Sequence, residues 1–132
     1  MGLSIKKVSE RLGIPPHTIR YYEKEGLLPF IQRDEHGNRI FENKDLEWIN
    51  LMTCFRVTGM PVAALKHIVD LALQGDSTIS ERRAILEKHK DELKKQQLEL
   101  ERAFEAVNYK LSKYDSIQNG KSDSSSEFTM NP

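Results

Sequence analysis

Apolar residues near the start of the chain recur every three or four positions, which is the spacing of an amphipathic helix. The first such segment covers residues 5–12, between a serine that can cap a helix and a glycine that can end one. A second short helix is predicted to begin at Pro15 and Pro16, because proline is tolerated in a first turn, and to run to Glu25.

The next segments predict a hairpin and two longer helices. Residues 30–33 and 39–41 are strand-like runs around a centre that contains glycine and asparagine. A third helix is predicted from Asn43, as its cap, towards Gly59, and a fourth begins at Pro61. By helical spacing, the positions expected to face the core are Trp48, Leu51, Met52 and Phe55 in the third helix, and Val62, Leu65, Ile68, Val69 and Ala72 in the fourth.

Residues 78–115 differ from the rest because apolar residues recur there at heptad spacing on a highly charged helix, which is typical of a coiled coil. Such a helix would be roughly 55 Å long, too long to bury its apolar seam against four small helices. We therefore expect a second copy to cover it, although packing on its own domain is the alternative. One set of seam positions is polar in the first half and apolar in the second, which favours antiparallel pairing. The predicted dimer-interface residues are Ile79, Leu86, Leu93, Leu100, Phe104, Val107 and Leu111.

These elements predict a mainly α fold with three parts. A winged helix-turn-helix domain covers residues 1–75, and a long antiparallel coiled-coil dimerisation helix covers 76–115. Residues 116–132 are rich in Ser, Asn, Asp and Gly, so a disordered tail is expected. Apolar runs stay far below the ~18 residues of a membrane span, and the single cysteine excludes a disulfide framework within the chain. A cytoplasmic protein without membrane, metal or cofactor is expected.

The charge of the chain gives a mixed indication about nucleic acid. Twenty basic and twenty acidic residues give a net charge of zero, whereas nucleic-acid binders usually show a basic excess. Residues 1–41 carry seven basic and five acidic residues. An argument for DNA binding must therefore rest on where the charges lie rather than on their sum.

The placement of polar residues on the second helix supports DNA binding. Ile19 and Tyr22 lie three positions apart and are expected to face the core together, which leaves the basic and hydroxyl side chains on the other faces. Arginine and lysine neutralise phosphates, hydroxyls donate to phosphate oxygens, and arginine can pair with guanine edges. The candidate DNA-binding residues are His17, Thr18, Arg20, Tyr21 and Lys24 on the helix, with Arg33 and Arg39 near the ends of the hairpin.

Several motifs resemble those of MerR-type transcription regulators. Residues 5–13 (IKKVSERLG) and 17–29 (HTIRYYEKEGLLP) are closely similar to the N-terminal signature of that family. Residues 37–41 (GNRIF) resemble its wing, and residues 45–49 (DLEWI) resemble its next helix. With the long final helix, the resemblance covers residues 3–115.

The resemblance implies a homodimer joined by an antiparallel coiled coil, with a winged domain at each end. Its expected partners are double-stranded operator DNA inside an overlong promoter spacer, and the RNA polymerase that engages the promoter once the spacer is bent and untwisted. Carried over by position, Arg20 and Tyr21 contact the backbone or base edges, His17 and Thr18 assist them, and Arg39 contacts DNA from the wing.

Few residues of the chain are candidates for sensing a signal. Family members commonly place cysteines, an iron–sulfur cluster or a ligand domain after the long helix, and this chain has only Cys54 and a short tail. By residue type alone, a lone cysteine on a helix is more often a small buried hydrophobe than a reactive group. A short chain with a cysteine at this point of the third helix resembles the aldehyde- and electrophile-responsive AdhR/NmlR-like subgroup. That resemblance implies that Cys54 is the sensor thiol.

The chain lacks the residue patterns of an enzyme or a histidine metal site. The chain shows no nucleophile–base pair and no Gly-rich phosphate loop, so an enzyme is not expected. The four histidines fall on four elements without an i, i+4 pair, so no histidine metal site is expected. Two alternatives stay open: a regulator of the same fold with an inert Cys54 and another signal, and a MerR-fold modulator that binds a protein instead of DNA.

Overall fold

The structure is a computed structural model, and it describes residues 2–128 as four short helices, a two-stranded hairpin and one long helix. The described residues form two compact units, one up to His89 and one from Lys90. The helices are α1 (Ile5–Leu12), α2 (Pro16–Lys24), α3 (Asn43–Val57), α4 (Val62–Gln74) and α5 (Ile79–Gln118), and the strands are β1 (Gln32–Arg33) and β2 (Arg39–Ile40). Short 3₁₀ helices cover Asp76–Thr78 and Ser124–Ser126. This architecture confirms the predicted fold class.

The first two helices begin and end where the sequence signals lie. The Ser4 hydroxyl oxygen accepts a hydrogen bond from the Lys7 amide at 3.3 Å, which caps α1. Gly13 ends α1 with φ of 68°, a left-handed conformation that favours glycine. Helix α2 begins at Pro16 without a side-chain cap and ends one residue earlier than predicted, before Glu25.

The hairpin is shorter than the sequence suggests. Its antiparallel strands pair Gln32 with Ile40 and Arg33 with Arg39. The Asp34 side chain holds the turn, since its Oδ1 accepts from the amides of His36 and Asn38 at 2.9 Å each. We call residues 32–40 the wing.

The core of the first unit surrounds Phe41, which follows the wing directly and is fully buried. The backbone of Phe41 exchanges hydrogen bonds with that of Leu3, at 2.7 and 2.8 Å, so the N-terminal segment pairs with the chain beyond β2. Ile19 of α2 and Ile49 of α3 lie in the same buried cluster. Phe41 therefore joins the wing to the helices beneath it.

On helix α3 one of the four predicted core positions is wrong: Met52 is buried and Trp48 and Phe55 pack partly buried against the core, but Leu51 does not. Leu51 is 41% exposed, while Leu46, Ile49 and Met52 are buried. The run from Trp48 to Met52 offers two overlapping apolar stripes, and the helix buries the one that continues Leu46 at three-residue spacing. Trp48 stays partly buried and donates from its indole nitrogen to the Leu27 carbonyl at 3.0 Å.

The cap of α3 is also displaced by one residue from the prediction. Glu42, not Asn43, is the capping residue, and its amide donates to Asp45 Oδ2 at 2.8 Å. Asp45 is 2% exposed, and its carboxylate lies in the first turn, where the positive end of the helix dipole favours it. The reciprocal capping of Glu42 and Asp45 replaces the asparagine cap that the residue type suggested.

The junction between α4 and α5 is held by a buried threonine. Leu65, Ile68 and Val69 are buried as predicted, whereas Ala72 is exposed and Leu71 is buried instead. The Thr78 hydroxyl lies 2.7 Å from the Leu71 carbonyl and accepts from Arg82 Nε at 3.1 Å. Arg82 also donates to the Gly75 carbonyl at 3.1 Å. We call the contacts of Gly75, Thr78 and Arg82 the junction latch.

Helix α5 runs to Gln118, three residues beyond the predicted boundary at 115. Ser, Ile and Gln do not break a helix, and the stop signal is Gly120, with φ of 74°. The predicted disorder from 116 onwards therefore does not apply to the last helical turn. The same prediction for residues 129–132 lies outside the described residues, as does Met1 of the first predicted domain. Within residues 2–128, no helix combines the length and apolar character needed to cross a membrane.

Residues 119–128 return to the end of α5. The Tyr114 hydroxyl donates to the Glu127 carboxylate, and Lys110 Nζ lies 3.5 Å from the same group. This hydrogen bond raises the pKa of Tyr114 and lowers that of Glu127. Lys110 Nζ also lies 4.3 Å from the centre of the Phe128 ring, a cation–π contact.

We expect Phe41→Leu to lower the free energy of unfolding by about 1–2 kcal/mol, because the smaller side chain leaves a cavity in the core. Phe30→Leu, at a ring that is 38% exposed, should lower it by less than about 0.5 kcal/mol. Urea unfolding followed by helix circular dichroism measures both variants. Equal losses in the two variants would contradict the central place of Phe41.

Candidate nucleic-acid interface

The second helix presents one polar face, because its apolar residues are fixed in the core. Ile19 is fully buried and Tyr22 is 5% exposed, as the sequence predicted. The other candidate residues of α2 then lie outside: His17, Arg20, Tyr21 and Lys24 are exposed, and Thr18 is half-buried. The structure thus brings the five predicted residues of α2 to the surface of one short helix.

The two wing arginines do not point freely into solvent. Arg39 Nε donates to Glu23 Oε1 at 2.6 Å, and Arg33 Nη2 donates to the same oxygen at 3.0 Å. Arg33 Nη1 also donates to the Gly37 carbonyl at 2.8 Å. The side chains of Arg39 and Glu23 are only 22% and 21% exposed, so this ion pair is partly shielded from water. The arginines therefore hold the wing against α2 as well as contributing charge.

Glu23 is a residue that the sequence reasoning missed. It is an acid between Arg20 and Lys24 on a helix predicted to bind phosphates, which by itself looks unfavourable. The signal that could have found it is the presence of two arginines in the predicted hairpin, whose charges need a partner if the wing packs on α2. We call the contact of Glu23 with Arg33 and Arg39 the wing clamp.

A cleft of about 430 Å³ lies where the start of α1, helix α2 and the turn of the wing meet. Its lining is roughly half polar and includes the Arg20 side chain. Guanidinium groups and the amides at a helix start are the donors that phosphate oxygens accept from. The residues that line the cleft are Gly2, Leu3, Ser4, Ile5, Arg20, Asp34, Gly37, Asn38, Arg39 and Ile40.

Cys54 lies on α3 and is exposed, so its interpretation as a small buried hydrophobe is wrong for this chain. It lies on the same side of α3 as Leu51, outside the stripe that faces the core. The Cys54 carbonyl accepts from the Thr58 hydroxyl at 3.0 Å. That hydroxyl oxygen lies 2.8 Å from His89 Nε2. The thiol-bearing turn of α3 is therefore linked by two hydrogen bonds to α5.

His89 is a second residue that the sequence did not single out. It is 8% exposed and packs edge-on against the Phe55 ring, with ring centres 5.9 Å apart. A buried imidazole needs a hydrogen-bond partner, and the Thr58 hydroxyl supplies one. Aromatic packing and this hydrogen bond together hold the third turn of α5 against the C-terminal end of α3.

The predicted dimer residues form an uncovered apolar surface on α5. Each of the seven is between 37% and 66% exposed within its own chain. Such a row of large apolar side chains is costly in water, at about 25 cal/mol for each Å². Packing of the whole seam on its own domain, the alternative left open by the sequence, is not what the structure shows for these residues.

Within residues 2–128, no group of three or more His, Cys, Asp or Glu side chains is arranged to hold a metal ion. The donors that are present instead suit a polyanion, as described for α2 and its cleft.

Comparison with known proteins decides the family. The family model described as MerR HTH family regulatory protein matches residues 3–72. The chain belongs to the MerR family. An HTH-type transcriptional regulator of Haemophilus influenzae is 41% identical over 114 residues, which cover 86% of this chain and 84% of that protein. This MerR chain is therefore a transcription regulator that binds DNA, and not an enzyme.

Two further relatives bear on the function. The HTH-type transcriptional regulator AdhR of Bacillus subtilis is 34% identical over 84 residues, which cover 64% of this chain and 60% of AdhR. The crystal structure of HiNmlR, described as a MerR family regulator lacking the sensor domain and bound to promoter DNA, superposes with a TM-score of 0.83. It is 39% identical to this MerR chain, and the match covers 90% of this chain and 94% of HiNmlR.

We expect Glu23→Gln to release the wing arginines from the wing clamp. Specific operator binding should weaken because the wing loses its fixed position, while non-specific binding should strengthen because a negative charge is lost. The ratio of operator to non-specific affinity should fall by about three- to tenfold. Fluorescence anisotropy with operator and scrambled duplexes measures both. Glu25→Gln removes the same charge at the end of α2, and an equal fall in that variant would refute a role for the wing clamp.

Proposed function

We propose that the chain acts in the cytoplasm as a homodimeric MerR regulator that binds a pseudo-palindromic operator and distorts the promoter spacer for RNA polymerase. The observation that carries this proposal is the polar face of α2, held outward by Ile19 and Tyr22 beside the clamped wing. The relatives support it: HiNmlR, whose fold matches over most of this chain, is bound to promoter DNA.

The DNA contacts divide between base readout and backbone positioning. Arg20 and Tyr21 are exposed on α2, where a guanidinium can pair with guanine and a phenol can donate to a phosphate. His17 and Thr18 assist from the first turn, and Lys24 contributes a point charge at the other end. Arg33 and Arg39 position the wing on the backbone with the N–H groups that Glu23 does not occupy. The cleft beside Arg20 would receive a phosphate.

We expect Arg20→Ala to weaken operator binding by at least about tenfold, since a base or phosphate contact is lost in each half-site. The dependence of affinity on salt should also become shallower, by about one phosphate for each protomer. Gel-shift or anisotropy titrations at several salt concentrations measure both quantities.

Lys88→Ala is the matched control, because it removes one exposed positive charge from α5, outside the proposed interface. It should leave operator affinity within about twofold of the parent. If Arg20→Ala and Lys88→Ala weakened binding equally, the effect of Arg20 would be general charge alone and the proposed interface would be wrong.

The signal is proposed to be an aldehyde or a related electrophile that reacts with Cys54. Attack of the Cys54 sulfur on a carbonyl carbon forms a C–S bond, and the thiol proton moves to the carbonyl oxygen to give a hemithioacetal. The exposure of Cys54 supports the proposal, because the thiol can meet a small molecule. The likeness to AdhR and to HiNmlR, which lacks a sensor domain, supports it further.

The backbone carbonyl of Cys54, which accepts from the Thr58 hydroxyl, offers a route from this turn of α3 to the dimer helix. An adduct on the Cys54 side chain would press on the last turn of α3, where Thr58 and Phe55 hold His89. A shift of His89 would turn the start of α5 relative to α3. In a dimer this would change how the two winged domains are presented to the DNA, which is a population shift between two arrangements.

We expect Cys54→Ser to bind the operator within about twofold of the parent, because the residue lies away from the DNA-binding face of α2. Induction of a promoter reporter by formaldehyde or methylglyoxal should be lost. Thr53→Ser, one residue earlier on α3, is the control and should respond like the parent. An unchanged aldehyde response in Cys54→Ser would favour the second candidate, a regulator of the same fold whose Cys54 is inert.

A further inference from the structure

The seam of α5 cannot be closed by apolar residues alone. Three of its core positions are polar, namely Arg83, Lys90 and Gln97, and all lie in the first half of the helix. In a parallel dimer each of these would meet its own copy, so Arg83 and Lys90 would each bring two like charges together at the seam. Repulsion between like charges disfavours the parallel arrangement.

We propose a specific register for the antiparallel dimer, which rests on the homodimer proposed above. Leu86 lies opposite Leu111 of the partner subunit, and Leu93 lies opposite Phe104 of the partner subunit. Each remaining polar core residue then meets an apolar one: Gln97 meets the partner's Leu100, Lys90 meets the partner's Val107, and Arg83 meets the partner's Tyr114. Lysine and arginine can cover such residues with their long stems while the charges reach water.

The charges beside the seam select this register. One set of core residues contains Leu93 and Leu100, and the residue that comes one position after each member lies beside the seam. In an antiparallel coiled coil these flanking residues face the equivalent residues of the other helix, and their charges select the register. In the proposed register Lys94 faces Glu101 of the partner subunit, and two-fold symmetry repeats the pair. Both side chains are exposed in the single chain, so they are available for it.

Neighbouring registers lose this complementarity. A shift of one heptad in one direction brings Lys94 against Lys94 of the partner subunit and Glu87 against the partner's Glu101. A shift in the other direction brings Glu101 against Glu101 of the partner subunit and Glu87 against the partner's Asp115. Like charges at facing positions are destabilising, so these two registers are disfavoured.

The register places the partner's helix end beside the sensor segment. His89 lies near the position that faces Lys110 of the partner subunit, and on the first chain it holds Thr58 and Phe55 of α3. The surroundings of Cys54 are then completed by the last turns of the partner's helix. Apolar Leu51, which is 41% exposed in the single chain, lies on the same side and would be covered there.

A charge exchange tests the register. K94E and E101K should each weaken the dimer by about tenfold at low salt, because each turns two attractive pairs into two repulsive ones. The double variant K94E/E101K restores opposite charges and should return to within about twofold of the parent. Sedimentation velocity on the full-length chain over a dilution series measures the dissociation constants.

Local effects on the helix do not account for these expectations. K94E exchanges a pair with Asp91, three residues earlier, for a pair with Lys90, four residues earlier, and E101K places a base four residues before Glu105, so each variant keeps a favourable pair within its own helix. K95E is the matched control. It breaks the contact of Lys95 Nζ with Glu92 Oε1, at 3.3 Å within α5, on the side away from the seam. It should leave the dimer constant within about twofold.

The possible outcomes separate the two proposals. A parent chain that is monomeric at micromolar concentration would overturn both the homodimer and its register. A dimer that E101K strengthens would indicate the register in which Glu87 faces Glu101 of the partner subunit, and would overturn the proposed one. Failure of the double variant to recover, with both singles weakened and helical by circular dichroism, would also overturn it.

Discussion

The attachment of the wing to the rest of the fold is the constraint on which the candidate interface depends. Strands of two residues each form too small a ladder to be stable by themselves. The wing is held from two sides: Phe41 anchors it in the core and pairs with Leu3, and the wing clamp ties its arginines to α2. The polar face of α2 and the wing are therefore held in a fixed relation by these contacts. This is what a protein needs if it is to read a groove and a phosphate backbone at the same time.

The spacing of apolar residues was enough to predict the short helices and to predict which face of α2 packs into the core. Ile19 and Tyr22 lie where three-residue spacing puts them, and the polar face follows from that alone. On α3 the same spacing correctly placed Met52, Trp48 and Phe55 against the core but not Leu51, because two apolar stripes overlap there. Leu51 and Cys54 are exposed as a result. The spacing of apolar residues describes one helix at a time. It therefore does not show which of two apolar faces packs against the rest of the core.

Contacts between distant residues explain what else the sequence left out. Glu23 meets Arg39 sixteen positions later, and Thr58 meets His89 thirty-one positions later. Neither pair has a local signature, since an acid on a basic helix and a histidine on a charged helix both look like ordinary surface residues. The heptads of α5 are the opposite case, because their spacing is visible without any structure. The capping of α3 by Glu42 in place of Asn43 shows that residue type alone does not settle a helix start.

The junction latch has a mechanical consequence for the promoter distortion proposed above. Thr78 and Arg82 hydrogen-bond to the Leu71 and Gly75 carbonyls at the end of α4, which ties the start of α5 to that end. A junction held by these hydrogen bonds would transmit a torque from one helix to the next instead of absorbing it by bending. The elastic cost of twisting a promoter would then be borne by the double helix and not by the protein.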